Sequence, residues 1–130
     1  MQEAHLLSIY KDIPLSDEKC RRTIATIVSS PTQFAYVAEK ENEVCGVLLG
    51  VVDEWIWSRK KEASDVFFYV NDKCRGSGYF LAKKFLEWAG DRSDVKLIGM
   101  ANSSGIGDSE RVEKLFKRLG LKRVGGIYLR

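Results

Sequence analysis

The residues best suited to bind an anion lie in the stretch YVNDKCRGSGYFLAKKF, at positions 69–85. A run of β-forming residues ends there, a basic, glycine-spaced turn follows, and an apolar pattern at helical spacing comes next. The first N–H groups of a helix have no intrahelical partner, and the helix dipole adds partial positive charge at that end. Gly76 and Gly78 let a ligand approach the backbone closely, and Lys73 and Arg75 can donate charge-assisted hydrogen bonds to phosphate oxygens. The stretch therefore predicts an anion site, although the turn alone also suits a simple connection with solvated cations.

The length and composition favour a single globular domain over residues 1–130. No run approaches the ~18 apolar residues of a membrane span, and an acidic residue near the N-terminus argues against a secretory signal, so we expect a cytoplasmic protein with no membrane partner (host cytoplasm if phage-encoded). Cys20, Cys45 and Cys74 lack metal or redox spacing and predict reduced thiols. The only histidine, His5, leaves little material for a zinc site, and we expect no metal. A net charge of +3 permits an anionic ligand without requiring nucleic acid.

Strand and helix patterns alternate along the chain, with no repeat and no linker. The predicted strands are Leu6–Tyr10, Phe34–Glu39, Val44–Val52, Asp65–Val70, Val95–Ala101 and Arg123–Leu129. The predicted helices run from Ser16 to about Ser30, from Gly78 onward, and from about Asp108 to Leu119, where Gly120 supplies a left-handed cap. This order predicts an α/β fold with a mixed sheet and helices on both faces.

From about residue 34 to 130, the element order and two motifs resemble the GNAT N-acetyltransferases. In that family, the strand–turn–helix carries a [Q/R]-x-x-G-x-[G/A] motif whose backbone amides hold the pyrophosphate of acetyl-CoA. Here YVNDKCRGSG resembles the phage-type form Y-V-x-P-x-x-R-G-S-G, and FKRLGLKRVGG resembles the closing helix and strand. A dinucleotide-binding unit fits less well, because its glycine fingerprint follows the first strand of a parallel βαβ unit. The resemblance implies a GNAT-like acyl-CoA N-acyltransferase fold with a central, mostly antiparallel sheet. It also implies acetyl-CoA as cosubstrate, direct attack by an amine-bearing acceptor, and a monomer or homodimer.

Two registers of the motif compete. Matching the strand puts Arg75 in the family's Arg/Gln position, but leaves Phe80 where glycine or alanine is expected. Matching the helix puts Lys73 there and gives Gly76 and Gly78 the two glycine roles, and we prefer this register because Phe80 would crowd a pyrophosphate. In both registers the unpaired amides are expected at residues 75 to 78. The implied cofactor-binding residues are Phe68, Tyr69, Val70, Lys73, Arg75, Gly76, Ser77, Gly78 and Tyr79.

The family's usual base is a carboxylate on or beside the strand before the phosphate loop. Glu62 and Asp65 lie in the matching region, and Asp53 and Glu54 end the preceding strand. A base is needed because only a neutral amine attacks a thioester. We take Glu62, Asp65 and Asn102 as the candidate catalytic residues, with Asn102 matching polar residues that bind the pantetheine arm. Solvated surface carboxylates and a turn asparagine are the alternatives.

One position departs from the family pattern. The general-acid tyrosine of many relatives corresponds to Phe116, which has no proton to donate. Tyr128, Tyr79 and Ser103 are other donors, and water is a further source. The departure leaves open a second function, a CoA-binding module that has lost turnover.

The stretch EWIWSRKK combines aromatic and basic residues. Trp55 and Trp57 share one face of an extended segment, and Arg59, Lys60 and Lys61 follow them. In the family this loop borders the acceptor side of the cleft, and aromatic faces with cations suit stacking on bases. Because the Mom group of phage GNAT-like proteins modifies adenine in DNA, nucleic acid is a third candidate partner. A core tryptophan pair with a charged hairpin end is the alternative.

Overall fold

The computed structural model describes all of residues 1–130. The helices are α1 (Gln2–Leu7), α2 (Asp17–Ser29), α3 (Ser77–Gly90) and α4 (Ser109–Arg118). The strands are β1 (Gln33–Lys40), β2 (Glu43–Glu54), β3 (Lys61–Val70) and β4 (Val95–Gly99), and a 3₁₀ turn spans Asp72–Cys74. No helix of this fold combines the length and the apolar character needed to cross a membrane.

The four strands form one sheet in the order β1-β2-β3-β4. The β1–β2 and β2–β3 pairs are antiparallel, and β3–β4 is parallel. Helix α3 supplies four of the eight residues of the core cluster on one face, whereas α2 contacts β1 and β2 and buries Ile27 outside that core. This mixed, mostly antiparallel sheet confirms the predicted fold class.

Local sequence signals explain where several elements begin and end. Ser16 Oγ and Asp108 Oδ1 each accept a hydrogen bond from a first-turn backbone N–H, so the predicted starts of α2 and α4 are confirmed. Gly120 adopts φ +83°, the left-handed conformation expected after α4. Glu41 and Asn42 have φ of 54° and 62°, as a tight hairpin turn between β1 and β2 requires.

Two predicted strands are wrong. Instead of a strand over Leu6–Tyr10, the chain forms α1, which buries Ala4 and ends at Leu7, and then a turn from Ser8 onward. The apolar side chains that suggested a strand, Leu6, Leu7 and Ile9, are all exposed. Arg123–Leu129 forms no strand either. No backbone hydrogen bond joins it to β4, and Val124 and Tyr128 are 97% and 96% exposed. The glycine pair in the middle of this segment weakens any strand that it would form.

The cysteine prediction also needs correction. The structure joins Cys45 of β2 to Cys74 of the 3₁₀ turn, with Cα atoms 5.6 Å apart, and leaves Cys20 free. The sequence separation of 29 hides this proximity, which arises because the turn folds back beside the start of β2. A backbone hydrogen bond from Asn71 N–H to the Cys45 carbonyl joins the same two segments. The turn that leads into α3 is therefore anchored to the sheet.

The core between the sheet and α3 is tightly packed around Phe85. Its ring is fully buried and makes an edge-on contact with Phe34, at 5.5 Å between centroids. A Cβ atom at Gly50 would lie only 2.5 Å from Phe85 Cε2. Gly50 is thus required for space, since any side chain there displaces the ring.

We expect Gly50→Ala to lower the free energy of unfolding by roughly 1–3 kcal/mol, the usual cost of overpacking a core. Urea unfolding followed by circular dichroism measures this change. Gly99→Ala is the matched control, because this glycine of β4 has open space where its Cβ would lie. Adding Phe85→Leu to Gly50→Ala should recover part of the loss, and wild-type stability of Gly50→Ala alone would contradict the packing argument.

Candidate functional site

The parallel strands β3 and β4 separate part-way along their length. They are paired from Lys61 opposite Val95 to Ser64 opposite Gly99, and no pairing continues beyond that point. On the other side of β3, Gly50 pairs with Asp65 and Leu49 with Phe67, so Val66 is an extra residue in a β-bulge. Because a bulge bends its strand, the remaining part of β3 diverges from the chain that follows β4. The result is an open split whose edge carries backbone groups without a strand partner.

A cleft of about 710 Å³ occupies this split. This volume lies within the roughly 300–1,000 Å³ that is typical of small-molecule sites. The cleft lies between the end of β3, the turn before α3 and the apolar face of α4. Its lining includes Phe68, Tyr69, Val70, Arg75, Gly76, Gly78, Tyr79, Asn102, Arg111, Val112, Lys114, Leu115 and Arg118.

Four backbone amides at the start of α3 are free to bind a ligand. The N–H groups from Gly76 to Tyr79 have no protein acceptor, and no side chain caps the helix. Gly76 has φ +98°, a conformation that only glycine adopts without strain. The free set is shifted by one residue from the expected 75 to 78, because Arg75 N–H donates to the Asp72 carbonyl. The predicted strand–turn–helix geometry is otherwise present.

Cations from two elements line the same cleft. Arg75 comes from the turn, and Arg111, Lys114 and Arg118 come from α4. The Arg118 guanidinium lies over the Tyr79 ring, 4.6 Å from its centroid, which holds it beside the first turn of α3. Sequence analysis missed the three α4 cations, although their spacing of three and four residues puts them on one helical face.

Lys73 and Ser77 do not line the cleft. Lys73 Nζ donates to Glu43 Oε2 at 2.5 Å, and this hydrogen bond raises the pKa of Lys73 and lowers that of Glu43. Ser77 Oγ donates to the Cys74 carbonyl. Of the two cations that compete for the family's Arg/Gln position, Arg75 is therefore the one at the cleft.

Asp65 lies where the two strands separate. Its Oδ1 accepts a hydrogen bond from Ala101 N–H at 2.8 Å, just after β4. Burial raises the pKa of Asp65, and the hydrogen bond from Ala101 only partly opposes this effect. Glu62 is also on β3, but in the part still paired with β4, and it lines neither the cleft nor the second cavity described below. Of the two candidate bases, only Asp65 is at the split.

The other polar candidates are separated from one another. Asn102 lines the cleft, and its Nδ2 donates to the Ser109 carbonyl at 3.4 Å, the start of α4. Tyr79 lines the cleft as well, whereas Tyr128 is exposed at the C-terminus. Phe116 lines neither cavity.

A second cavity of about 360 Å³ lies between α1 and the split. It shares Phe68, Ala101, Ser104 and Ile106 with the larger cleft, so the two spaces adjoin through the gap between the strands. We call the larger space the cleft and the smaller one the α1 cavity. The α1 cavity contains Asp65 and also His5, a residue to which sequence analysis gave no role.

A family model for the acetyltransferase (GNAT) family matches residues 4–121. The chain belongs to this family. It is therefore an acyltransferase, and the split between β3 and β4 lies in a GNAT domain.

Solved structures share the fold of this GNAT domain at low sequence identity. A transcriptional regulator from Bacillus halodurans C-125 superposes with a TM-score of 0.70 at 18% identity, covering 99% of this chain and 91% of its own. Glucosamine-6-phosphate N-acetyltransferase from Arabidopsis thaliana superposes with a TM-score of 0.69 at 13% identity, covering 91% of this chain and 80% of its own. The aminoglycoside acetyltransferase meta-AAC0020 from an uncultured soil metagenomic sample, in complex with trehalose, has a TM-score of 0.64 at 15% identity. This match covers 92% of this chain and 78% of that one. No curated protein matches the sequence. These identities establish the fold and leave the acceptor open.

The aromatic and basic stretch at residues 54–61 lies away from both cavities of the GNAT domain. It forms the β2–β3 hairpin end, where β3 is still paired with β4, and none of Trp55 to Lys60 lines either space. Trp57 is 78% exposed and Ile56 is 79% exposed, so the alternative of a core tryptophan pair is wrong. This hairpin end is a surface patch, and it does not border the acceptor side of the cleft as expected.

We expect Asp65→Asn to stabilise the protein near neutral pH, by on the order of 1 kcal/mol. The pKa of Asp65 is raised in the folded state, so the unfolded chain ionises first as pH rises through its ordinary value of 3.8. Wild-type stability therefore falls with pH between that value and the raised one. The asparagine keeps an oxygen for Ala101 N–H and has no charge to desolvate.

Thermal unfolding of wild type and Asp65→Asn at about pH 4 and about pH 7.5 measures this difference. The gap between the two melting temperatures should widen at the higher pH. Asp65→Ala is the control, because it removes both the charge and the acceptor. An asparagine variant that is less stable than wild type at both pH values would show that the carboxylate is structural.

Proposed function

We propose that the protein transfers an acetyl group from acetyl-CoA to an amine acceptor, with the cofactor in the cleft and the acceptor in the α1 cavity. The observation that carries the proposal is the split between β3 and β4, which adjoins four free amides and four cations. Such a site suits a ligand with several phosphates and a long polar arm. It also brings that ligand next to a second, separate space.

The residues of the cleft fit the parts of acetyl-CoA. The amides from Gly76 to Tyr79, together with Arg75, suit the pyrophosphate. The α4 cations suit the remaining phosphate, and Val112 and Leu115 offer apolar contact to the arm. The unpaired edge of β3 and the side chain of Asn102 supply hydrogen-bonding groups for the amides of pantetheine.

Acetyl-CoA would supply an activated thioester, and the protein's own task is to supply a neutral amine. Asp65 is the best-placed proton acceptor because it lines the α1 cavity at the split and its raised pKa makes it a stronger base than an exposed carboxylate. The amine nitrogen loses one proton to Asp65 and forms the new C–N bond as the C–S bond breaks. The bonding electron pair leaves with sulfur, and the second proton from nitrogen ends on that sulfur, directly or through water. Phe116 contributes no proton, and Tyr79 is a hydroxyl group in the lining of the cleft that could supply one.

Gly78 provides a clean test of cofactor binding. A Cβ atom there would make only ordinary contacts, 3.5 Å from Phe68 and 3.8 Å from Leu115, so Gly78→Ala should fold normally. The added methyl group nonetheless occupies the wall of the cleft, where close approach to the backbone is needed. We expect isothermal titration to detect acetyl-CoA binding to wild type and about tenfold weaker binding to Gly78→Ala, a loss of about 1.4 kcal/mol.

Gly90→Ala is the matched control, since this α3 glycine is distant from the cleft and has open space around it. It should bind acetyl-CoA as wild type does. Absence of binding to wild type at millimolar acetyl-CoA would overturn the proposal. If binding occurs but no amine releases CoA thiol, the protein is a CoA-binding module without turnover.

A nucleic-acid acceptor is the second candidate, and the exposed Trp57 at the β2–β3 hairpin end is the observation in its favour. Stacking on Trp57 and phosphate contacts from Arg59 and Lys60 would give salt-dependent binding. We expect this surface to contribute little to acetyl transfer, because it lines neither cavity.

Fluorescence anisotropy with labelled single-stranded DNA tests the second candidate at low and at physiological salt. If DNA is a partner, Arg59→Ala with Lys60→Ala weakens binding about tenfold or more and reduces its salt dependence. Lys61 is left intact because its Nζ pairs with Asp94 at 2.9 Å and so supports the sheet. Binding that is weak, or that the double variant does not change, removes nucleic acid from the candidates.

A further inference from the structure

The α1 cavity is small and mostly apolar. Its volume of about 360 Å³ is close to the lower limit of roughly 300 Å³ for small-molecule sites. Its lining includes Leu15, from the loop before α2, and Phe67 of β3. The full lining is Met1, Ala4, His5, Ser8, Tyr10, Leu15, Asp65, Val66, Phe67, Phe68, Ala101, Ser103, Ser104 and Ile106.

The α1 cavity has few charged groups. Asp65 is the only carboxylate in its lining, His5 is the only basic side chain, and Met1 adds its α-amino group. Asp65 Oδ1 already accepts from Ala101 N–H, which leaves the other oxygen as the principal anionic acceptor. The cavity therefore has charge for one ammonium group and apolar surface for the rest of its ligand.

We propose that the acceptor is a small primary monoamine carried on an apolar or aromatic body. This inference rests on the proposed acetyl transfer and specifies its acceptor. The ammonium group binds Asp65 at the split, and the body lies against the side chains of Leu15 and Phe67.

Other amine classes fit these walls poorly. A polycation such as an aminoglycoside would bring several ammonium groups against one carboxylate, and each unpaired buried charge is costly. An amino sugar phosphate would bring a dianion into a space with one histidine and no lysine or arginine. Aromatic walls instead favour a flat, apolar body, which gains roughly 25 cal/mol for each Å² removed from water.

A matched pair of amines tests the charge argument directly. Benzylamine and 4-(aminomethyl)benzylamine share one ring and differ by a second aminomethyl group. Release of CoA thiol from acetyl-CoA gives kcat/KM for each, alongside phenethylamine, spermidine, kanamycin, glucosamine 6-phosphate and a lysine-containing peptide. We expect the monoamines to be the best substrates, with benzylamine at least about tenfold better than its diamine, which corresponds to about 1.4 kcal/mol.

A variant tests whether the α1 cavity sets this preference. Leu15 is at its partly exposed side, so Leu15→Glu adds a second carboxylate without burying it deeply. The ratio of kcat/KM for the diamine to that for benzylamine should rise about tenfold or more, and the uncharged control Leu15→Gln should leave the ratio near its wild-type value. Direct titration of acetyl-CoA into each variant should give wild-type affinity, because Leu15 does not line the cleft.

The outcomes separate the acceptor assignment from the proposed acetyl transfer. Acetylation that favours the diamine, kanamycin, the sugar phosphate or the peptide overturns the monoamine assignment and leaves acetyl transfer standing. The monoamine assignment is likewise overturned if Leu15→Glu and Leu15→Gln behave alike, or if acetyl-CoA binds and no monoamine reacts. Failure of acetyl-CoA to bind wild type removes the proposed function, and the acceptor assignment with it.

Discussion

The structure depends on the early end of hydrogen bonding between β3 and β4. Two parallel strands in one sheet would ordinarily stay paired along their shared length, but here the ladder stops at Ser64 and the bulge at Val66 turns β3 aside. At the split, the backbone N–H of Ala101 would then have no carbonyl acceptor on β3. The side chain of Asp65 accepts this hydrogen bond in place of a strand carbonyl. One carboxylate thus closes the ladder and lines the α1 cavity beside Ala101, a residue that both cavities share. A fully paired sheet would have no cleft here, and it would offer the Asp65 carboxylate no unpaired amide to bind.

The cleft and the α1 cavity, on the two sides of the split, differ in charge. This difference suits a different proposed reactant in each space. The cleft has four cations and three carboxylates in its lining, together with free amides that add positive potential. The α1 cavity has one carboxylate, one histidine and the α-amino group of Met1. The proposed anionic cosubstrate would be attracted to the cleft, and the ammonium group of the proposed acceptor to Asp65 on the other side of the gap.

Features encoded within a few residues were predictable from the sequence, and features that depend on distant segments were not. The Ser16 and Asp108 caps, the Gly120 terminator and the glycine turn before α3 each act over one helical turn, and the structure has all of them. The apolar run at Leu6–Tyr10 was misread because Leu6, Leu7 and Ile9 are exposed, whereas the buried positions are Ala4 and Ser8. The Cys45–Cys74 pair, the Lys73–Glu43 ion pair and the α1 cavity join residues that are far apart in the chain. Only the family resemblance pointed towards a carboxylate on or beside the strand before the glycine turn, and it could not say which one lies at the split.

Helix α4 shows how far this fold relies on what binds to it. The helix is strongly two-sided, yet none of its residues is buried, because its apolar Val112 and Leu115 face the cleft. An isolated helix of ten residues is marginal in water, so α4 gains much less from packing than α3, whose face is fully covered. A ligand in the cleft would supply the missing apolar contact and neutralise the α4 cations, which repel one another on one face. Binding free energy would then appear partly as stability of α4. The incomplete packing of this helix is thus the counterpart of the open split, since both leave surface uncovered on the side of the proposed cosubstrate.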